Sequence, residues 1–200
     1  IAVALRLGAP VCAPHTCVCG EPVDSSGLYG LACRKSLVDT YATTPSTTSS
    51  SVHWHPLISR PCWNRPLSLS RDDDKRPDGL TIMPWSNGRC LVWDFTCPHT
   101  LAASHLNKAV LGPGAVANDA ESRKSSKYRS LAALYSLTPI AVESMGPLGQ
   151  EATIFFHELG RRIEATSAEP RSLQYLLQRL SVTVQRGNAA CIIGTVSSSG

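Results

Sequence analysis

The spacing of hydrophobic and polar positions divides this chain into three parts. Residues 11–36 are rich in turn residues and lack apolar periodicity. Residues 37–67 carry few hydrophobes and follow neither a helical nor a strand period, so they cannot bury enough apolar surface to offset the entropy of ordering. We therefore predict a small N-terminal segment over residues 1–36, an irregular linker over residues 37–67 and a folded domain over residues 68–200.

The pattern over residues 68–200 switches between strand-like apolar runs and helical spacing. The predicted strands cover residues 80–84, 90–96, 140–142 and 191–196. The predicted helices cover residues 115–135, 150–165 and 171–186. Pro170 is expected to begin the last helix and Gly187 to end it, since proline suits a first turn and glycine a helix end. This order predicts an α/β fold with a mixed central sheet and helices on both sides.

The first two strands form a hairpin, because the dipeptide Asn87-Gly88 between them is typical of tight hairpin turns. A two-residue loop would put Asp78 and Asp94 on opposite faces of the sheet. A three-residue loop that includes Arg89 would put them on the same face, about 13 Å apart along the strand at the usual rise. We predict the three-residue loop with a left-handed glycine.

Asp94 lies in an apolar strand between Trp93 and Phe95, where an unpaired carboxylate would be costly. It therefore needs a cation or a hydrogen-bond donor as partner. Together with Asp78, it can supply the oxygen ligands that Mg²⁺ prefers, and phosphodiester hydrolysis requires such a hard cation. The alternative is that Asp78 is a turn residue and Asp94 a hydrogen-bonded strand residue.

Cysteine content and charge add two further constraints. Of the eight cysteines, four lie within the first 33 residues; they are Cys12, Cys17, Cys19 and Cys33. Without a secretion signal, such a group is more typical of a metal site than of disulfides.

The net charge of +4 is compatible with a nucleic-acid partner. No apolar run is long enough for a membrane span, so no membrane partner is expected, and the start at Ile1 suggests a fragment of a longer reading frame.

Four ordered motifs carry a family resemblance. They are R-P-D-G at 76–79, W-D-F-T at 93–96, R-K-S-S-K-Y at 123–128 and P-I-A-V-E at 139–143. This set resembles the restriction-like endonuclease region of non-LTR retrotransposon polyproteins, within the PD-(D/E)xK superfamily. The C-x-C-G…G-L-x-G-L-x-C block from Cys17 to Cys33 and the Q-R-L-S…Q-R-G-N-A block from Gln178 to Ala189 are similar to other parts of the same polyprotein end.

The resemblance implies a catalytic set of two aspartates and a lysine, Asp78 and Asp94 being the metal ligands. The superfamily's usual lysine position holds Thr96. In the retrotransposon enzymes the lysine is displaced onto the next helix, which here offers Lys124 and Lys127. The choice between these two lysines stays open, as does the choice between a catalytic and a solvated role.

Glu143 ends the following strand and is the remaining candidate from the carboxylates. It can add a catalytic carboxylate or hold the lysine. The alternative is an ordinary hydrogen-bond acceptor at a strand end.

The resemblance also implies a zinc knuckle that contains Cys17, Cys19 and Cys33. The knuckle's remaining ligand is usually a histidine, but this chain has Tyr29 at that place, which we do not expect to ligate zinc. A tetrahedral site would then need His15 or Cys12 as its fourth ligand.

The function implied by the resemblance is metal-dependent nicking of chromosomal DNA, which leaves a 3′ hydroxyl that primes reverse transcription. Mg²⁺ or Mn²⁺ would be the cofactor, with Zn²⁺ in the knuckle. The implied partners are DNA and the rest of the polyprotein, and the implied location is the nucleus.

The alternative function is a catalytically dead remnant with weak nucleic-acid or zinc binding. Codons for residues 38–66, read one nucleotide out of phase, can encode RYLRHNSINDVVIRALASADIPTMLEPP. That segment is similar to what the family carries between knuckle and nuclease. We therefore interpret residues 37–67 as a frameshifted insert that replaces the first helix and strand of the nuclease fold, and expect a weakened or inactive protein.

Overall fold

The computed structural model describes residues 1–33, 35 and 77–196. The predicted linker, residues 37–67, lies outside the described residues. The strands are β1 (His15–Thr16), β2 (Pro22–Val23), β3 (Gly79–Ser86), β4 (Arg89–Thr96) and β5 (Ser136–Ala141). The α-helices are α1 (Ala2–Leu7), α2 (Leu106–Ala109), α3 (Ala115–Lys127), α4 (Gln150–Ser167) and α5 (Ser172–Ile193). Short 3-10 helices cover Leu28–Leu31 and Arg129–Leu131.

The main sheet has three strands in the order β3-β4-β5. Strands β3 and β4 are antiparallel, whereas β4 and β5 are parallel and pair Asp94 with Pro139. A parallel pair needs a crossover, and α3 provides it between β4 and β5. The sheet is therefore mixed, as the sequence predicted.

Helices cover both faces of the central strand β4, since neighbouring residues on a strand point to opposite sides. Leu91 packs into a core with Phe156 and Leu159 of α4 and with residues of α5. Val92, on the other side, packs against Tyr128 and Leu131 at the end of α3. Both Leu91 and Val92 are almost fully buried. The predicted α/β class with flanking helices is confirmed at this level.

The hairpin loop differs from our prediction. It has two residues, Asn87 (φ 49) and Gly88 (φ 72), with Ser86 paired to Arg89. Positive φ at both central residues defines the type I′ turn, whose twist matches that of antiparallel strands. The three-residue loop was therefore wrong.

The register changes instead within β3. Between the pairs Leu80–Val92 and Pro84–Cys90, β3 has three residues opposite Leu91 alone, and a second shift follows before Ser86. Strand β3 therefore has an odd number of extra residues relative to β4. As a result Asp78 lies on the same face of the sheet as Asp94, whereas a regular ladder with this two-residue loop would put them on opposite faces. The hydroxyl of Thr81 sustains the bulge, since it accepts the Leu91 N–H at 2.8 Å and donates to the Met83 carbonyl at 2.8 Å.

The N-terminal segment docks against the far end of α5. Leu5 and Leu31 form a small core with Cys191 and Ile192. Gly30 makes this contact close, because a Cβ at that position would lie 3.0 Å from the Cα of Ile192.

Two predicted helix ends were wrong, and tertiary packing explains both. Helix α3 ends at Lys127 rather than near residue 135, and a 3-10 turn then buries Leu131 against β4. Helix α5 continues through Gly187 to Ile193, so the predicted strand over residues 191–196 does not form. The residues added by this extension bury Cys191 and Ile192 against the N-terminal segment.

Among the described residues, no helix combines the length and apolarity required to cross a membrane.

Candidate functional site

Asp94 is a buried carboxylate with two partners on the α3 side of the sheet. Its side chain is 3% exposed. The Tyr128 hydroxyl donates to Asp94 Oδ1 at 2.9 Å, and the ammonium group of Lys124 forms an ion pair with Oδ2. The sequence required a cation or a hydrogen-bond donor beside this carboxylate, and the structure provides both, Lys124 as the cation and Tyr128 as the donor.

Asp78 lies just before β3, at the rim of the same site. Its backbone N–H donates to the Trp93 carbonyl at 3.1 Å, and its Oδ2 accepts the Phe95 N–H at 2.6 Å. These bonds tie Asp78 to the two residues that flank Asp94. The bulge in β3 thus removes most of the gap along the strand that a regular hairpin would leave.

The electrostatic surroundings of Asp78 place its carboxylate near α3. Loss of hydration raises the pKa of Asp78 although the side chain is exposed at the rim, and repulsion from Asp94 raises it further. The Phe95 N–H and the charges of Lys124 and Lys127 oppose this rise. Two carboxylates that repel each other in this way are a candidate pair of oxygen ligands for a divalent cation.

The structure distinguishes the two candidate lysines by their contacts. Lys124 is 28% exposed and touches Asp94. Lys127 is exposed, with its ammonium nitrogen 4.8 Å from the centre of the Tyr128 ring. Tyr128 is itself buried, and burial together with its hydrogen bond to Asp94 raises its pKa to about 12. Lys124 is thus the lysine that the fold brings into contact with Asp94.

Glu143 is not part of this group. It lies four residues beyond Pro139, the partner of Asp94, which corresponds to roughly 13 Å along the sheet. Its buried Oε1 accepts the N–H groups of Val116 (3.1 Å) and Ala117 (3.3 Å) at the start of α3. Glu143 therefore acts as a hydrogen-bond acceptor, which is the alternative to a catalytic role that the sequence offered.

Sequence reasoning missed Glu121, a second buried glutamate. Its oxygens accept the N–H groups of Ala141 (3.3 Å), Glu151 (2.9 Å) and Ala152 (2.9 Å). Desolvation raises the pKa of Glu121, and these hydrogen bonds oppose the rise. Glu121 thus caps the first turn of α4 from α3, and no local sequence signal reveals a cap supplied by another helix.

The second candidate site is the cysteine cluster of the N-terminal segment. The sulfur atoms of Cys17, Cys19 and Cys33 all lie within 4.8 Å of one another. Cys17 and Cys33 are buried, and their sulfurs are 3.6 Å apart. This cluster can hold a metal such as zinc, for which thiolates are natural ligands.

The two fourth ligands considered from sequence are engaged elsewhere. His15 bonds Thr195 Oγ1 through Nε2 (2.8 Å) and the Ala13 carbonyl through Nδ1 (2.9 Å). The Cys12 thiol donates to the Asp24 carbonyl at 3.3 Å. Neither residue adds a ligand atom to the three-sulfur group, although Cys12 packs against the cluster.

Comparisons with protein-family models, with curated proteins and with solved structures each returned no match. Any function must therefore be argued from the two sites themselves. Their residue types differ, since the first offers hard carboxylate oxygens and the second soft thiols. The two sites therefore differ in chemistry and are independent of each other.

Proposed function

We propose that this chain is a Mg²⁺- or Mn²⁺-dependent DNA endonuclease with a restriction-like fold. In a retrotransposon polyprotein it would nick chromosomal DNA in the nucleus to prime reverse transcription. The observation that carries the proposal is the assembly of Asp78, Asp94 and Lys124 at one end of the hairpin. Asp78 lies just before β3, Asp94 on β4 and Lys124 on α3. The resemblance implies the two aspartates and a lysine, and left the choice between Lys124 and Lys127 open.

The residues present fit a hard divalent cation. Asp78 and Asp94 offer carboxylate oxygens. A cation bound by both would relieve the repulsion between the two carboxylates. Such a cation, when bound, would polarise a phosphate oxygen and acidify a water molecule. The hydrogen bond from Tyr128 to Oδ1 keeps Asp94 in place. Oδ2, which Lys124 contacts, is the oxygen that would bind the cation in place of Lys124.

Lys124 has two roles in this proposal. In the structure it neutralises the buried charge of Asp94. Asp78 and Asp94 would hold the cation, and Lys124, no longer needed to neutralise Asp94, would be free to orient the attacking water and to stabilise developing negative charge. The exposed Lys127, Arg123 and Arg129 beside it can contact neighbouring phosphates of the DNA backbone.

Plasmid nicking with purified protein tests the proposal. Weak nicking that depends on Mg²⁺ or Mn²⁺ is expected, and it should disappear in Asp78→Asn and in Asp94→Asn, which preserve side-chain size. Glu169→Gln is the matched control, because Glu169 is exposed and pairs only with Arg171 among the described residues. Lys124→Ala should abolish nicking, whereas Lys127→Ala should weaken it. Unchanged nicking in both aspartate variants would contradict the proposal.

One observation favours the alternative, a remnant without catalysis. Lys124 and Asp94 neutralise each other, so the pair is also complete as a structural ion pair without a metal. The expected result for a remnant is a folded protein that shows no metal-dependent nicking and no Mg²⁺-dependent rise in melting temperature.

A further inference from the structure

The outer face of α5 carries positive charge and no negative charge. The buried face of this helix includes Leu176 and Leu180, which pack into the core that contains Leu91. The opposite face is exposed and consists of Gln174, Tyr175, Gln178, Arg179, Ser181, Val182, Thr183 and Arg186. The helix has no aspartate or glutamate from its first residue to its last. No residue of α5 therefore neutralises its two arginines.

The neighbouring helix α4 differs, because its exposed arginines are balanced by a carboxylate. Glu158 forms ion pairs with Arg161 (2.8 Å) and with Arg162 (2.6 Å). Among the described residues, by contrast, neither Arg179 nor Arg186 forms an ion pair with a carboxylate. The positive charge on the outer face of α5 is therefore available to an anion from another molecule.

The two arginines of α5 have a defined spacing. The guanidinium carbon of Arg179 lies 5.7 Å from the centre of the Tyr175 ring, and its Nη1 donates to the tyrosine hydroxyl at 3.0 Å, which holds Arg179 along the helix surface. Arg186 follows two turns later on the same face, about 10 Å further along the helix at the usual rise. Because one strand of duplex DNA carries a phosphate every ~3.4 Å along its axis, the two arginines span about three phosphates.

The residue types on this face favour a DNA backbone over other partners. Arginine, glutamine, serine, threonine and tyrosine are among the side chains that contact phosphate and sugar oxygens in protein–DNA complexes. A second copy of the chain would place arginines against arginines. Between Gln174 and Arg186, Val182 is the only exposed aliphatic side chain, which is too little for the apolar core of a protein interface. A single strand would favour several aromatic platforms, whereas this face offers Tyr175 alone.

We propose that the outer face of α5 is a binding surface for double-stranded DNA, in which Arg179 and Arg186 contact phosphates of one strand. Leu91 and Asp94 lie on opposite sides of β4, because three positions separate them. Since α5 packs on the Leu91 side, this surface lies across the sheet from Asp94 and does not depend on the proposed nuclease function. Phosphate contacts carry no base information, so binding should not depend on DNA sequence.

Fluorescence anisotropy with a labelled mixed-sequence DNA duplex tests this surface, in EDTA so that no cleavage is involved. In the double variant Arg179→Gln/Arg186→Gln, affinity at about 0.1 M salt should fall roughly tenfold or more. The slope of log K against log[salt] should become shallower by about two, one for each lost phosphate contact. The double variant Arg179→Lys/Arg186→Lys keeps both charges and should keep the slope. All four substitutions are at exposed positions and introduce good helix formers, so the fold should be retained.

Arg161→Gln is the matched control, because Arg161 is an exposed arginine on α4 that already pairs with Glu158. It should leave affinity and slope unchanged. The proposal is wrong if the wild-type chain does not bind the duplex, or if the glutamine double variant binds with wild-type affinity and slope. An equal loss in Arg161→Gln would also contradict it, because loss of any positive charge would then be sufficient. Tighter binding of a single strand or of polyglutamate than of the duplex would overturn the choice of double-stranded DNA.

Discussion

Lys124 on α3 and Asp94 on β4 form an ion pair in which the carboxylate is almost fully buried and the lysine is partly exposed. Neither residue is near the other in sequence, and the pair exists because α3 packs on β5, the parallel neighbour of β4. It joins the proposed chemistry to the stability of the fold, so changes at these residues should affect both.

Removal of Lys124 should destabilise the protein, because among the described residues Asp94 would keep only Tyr128 as its side-chain partner. We expect Lys124→Ala to lower the free energy of unfolding by about 1–3 kcal/mol, the usual range for an incompletely satisfied buried group. Lys127→Ala, which removes an exposed neighbour, should cost about 0.5 kcal/mol or less. Urea unfolding of both variants provides the measurement. Equal losses would mean that the ion pair does not support the fold.

Ionisation of Asp78 should cost stability, because its pKa in the folded state is raised above the ordinary value of 3.8. The folded protein therefore binds the proton more tightly than the unfolded chain does. The cost is absent at a pH below 3.8 and appears as pH rises through the raised folded-state pKa. Asp78→Asn should then be more stable than wild type at neutral pH, and the difference should shrink on acidification. Urea unfolding across this pH range checks the sign, and a difference that grows on acidification would contradict it.

The hydroxyl of Thr81 should be necessary for the bulge that brings Asp78 to Asp94. Thr81→Val keeps the size of the side chain but leaves the Leu91 N–H without its acceptor. We expect a loss of about 1–3 kcal/mol in unfolding free energy, faster exchange of the Leu91 amide hydrogen and weaker metal-dependent nicking. Thr81→Ser retains the hydroxyl and serves as the control. Slow exchange at Leu91 in the valine variant would show that the bulge does not depend on this hydroxyl.

Gly149 should tolerate no side chain, although its backbone conformation (φ −72, ψ 168) suits any residue. A Cβ there would lie 2.2 Å from Glu121 Oε1, the atom that caps α4. We expect Gly149→Ala to lower the melting temperature, with a cost of about 1–3 kcal/mol from overpacking. In the Glu121→Ala background the clash is gone, so the same substitution should cost much less. Equal costs in both backgrounds would exclude the contact with Glu121 as the reason.

The sequence alone was sufficient for the α/β class, for the existence of most helices and strands, and for the grouping of Cys17, Cys19 and Cys33. These features depend on local periodicity, on turn residues such as Asn87-Gly88 and on short spacings, all of which can be read along the chain. The need for a partner at Asp94 also followed from its apolar neighbours, because burial of a charge is costly wherever it occurs.

Tertiary structure decided which residues meet. The bulge at Thr81 sets the register of β3, and a shift of one residue there moves Asp78 to the other face of the sheet. Packing of α3 on β5, beside β4, brings Lys124 rather than Lys127 to Asp94. Docking of the N-terminal segment accompanies the extension of α5 past Gly187. Glu121 and Glu143 obtained their positions in the same way. Their partners belong to elements distant in sequence, so local sequence pattern does not reveal their roles.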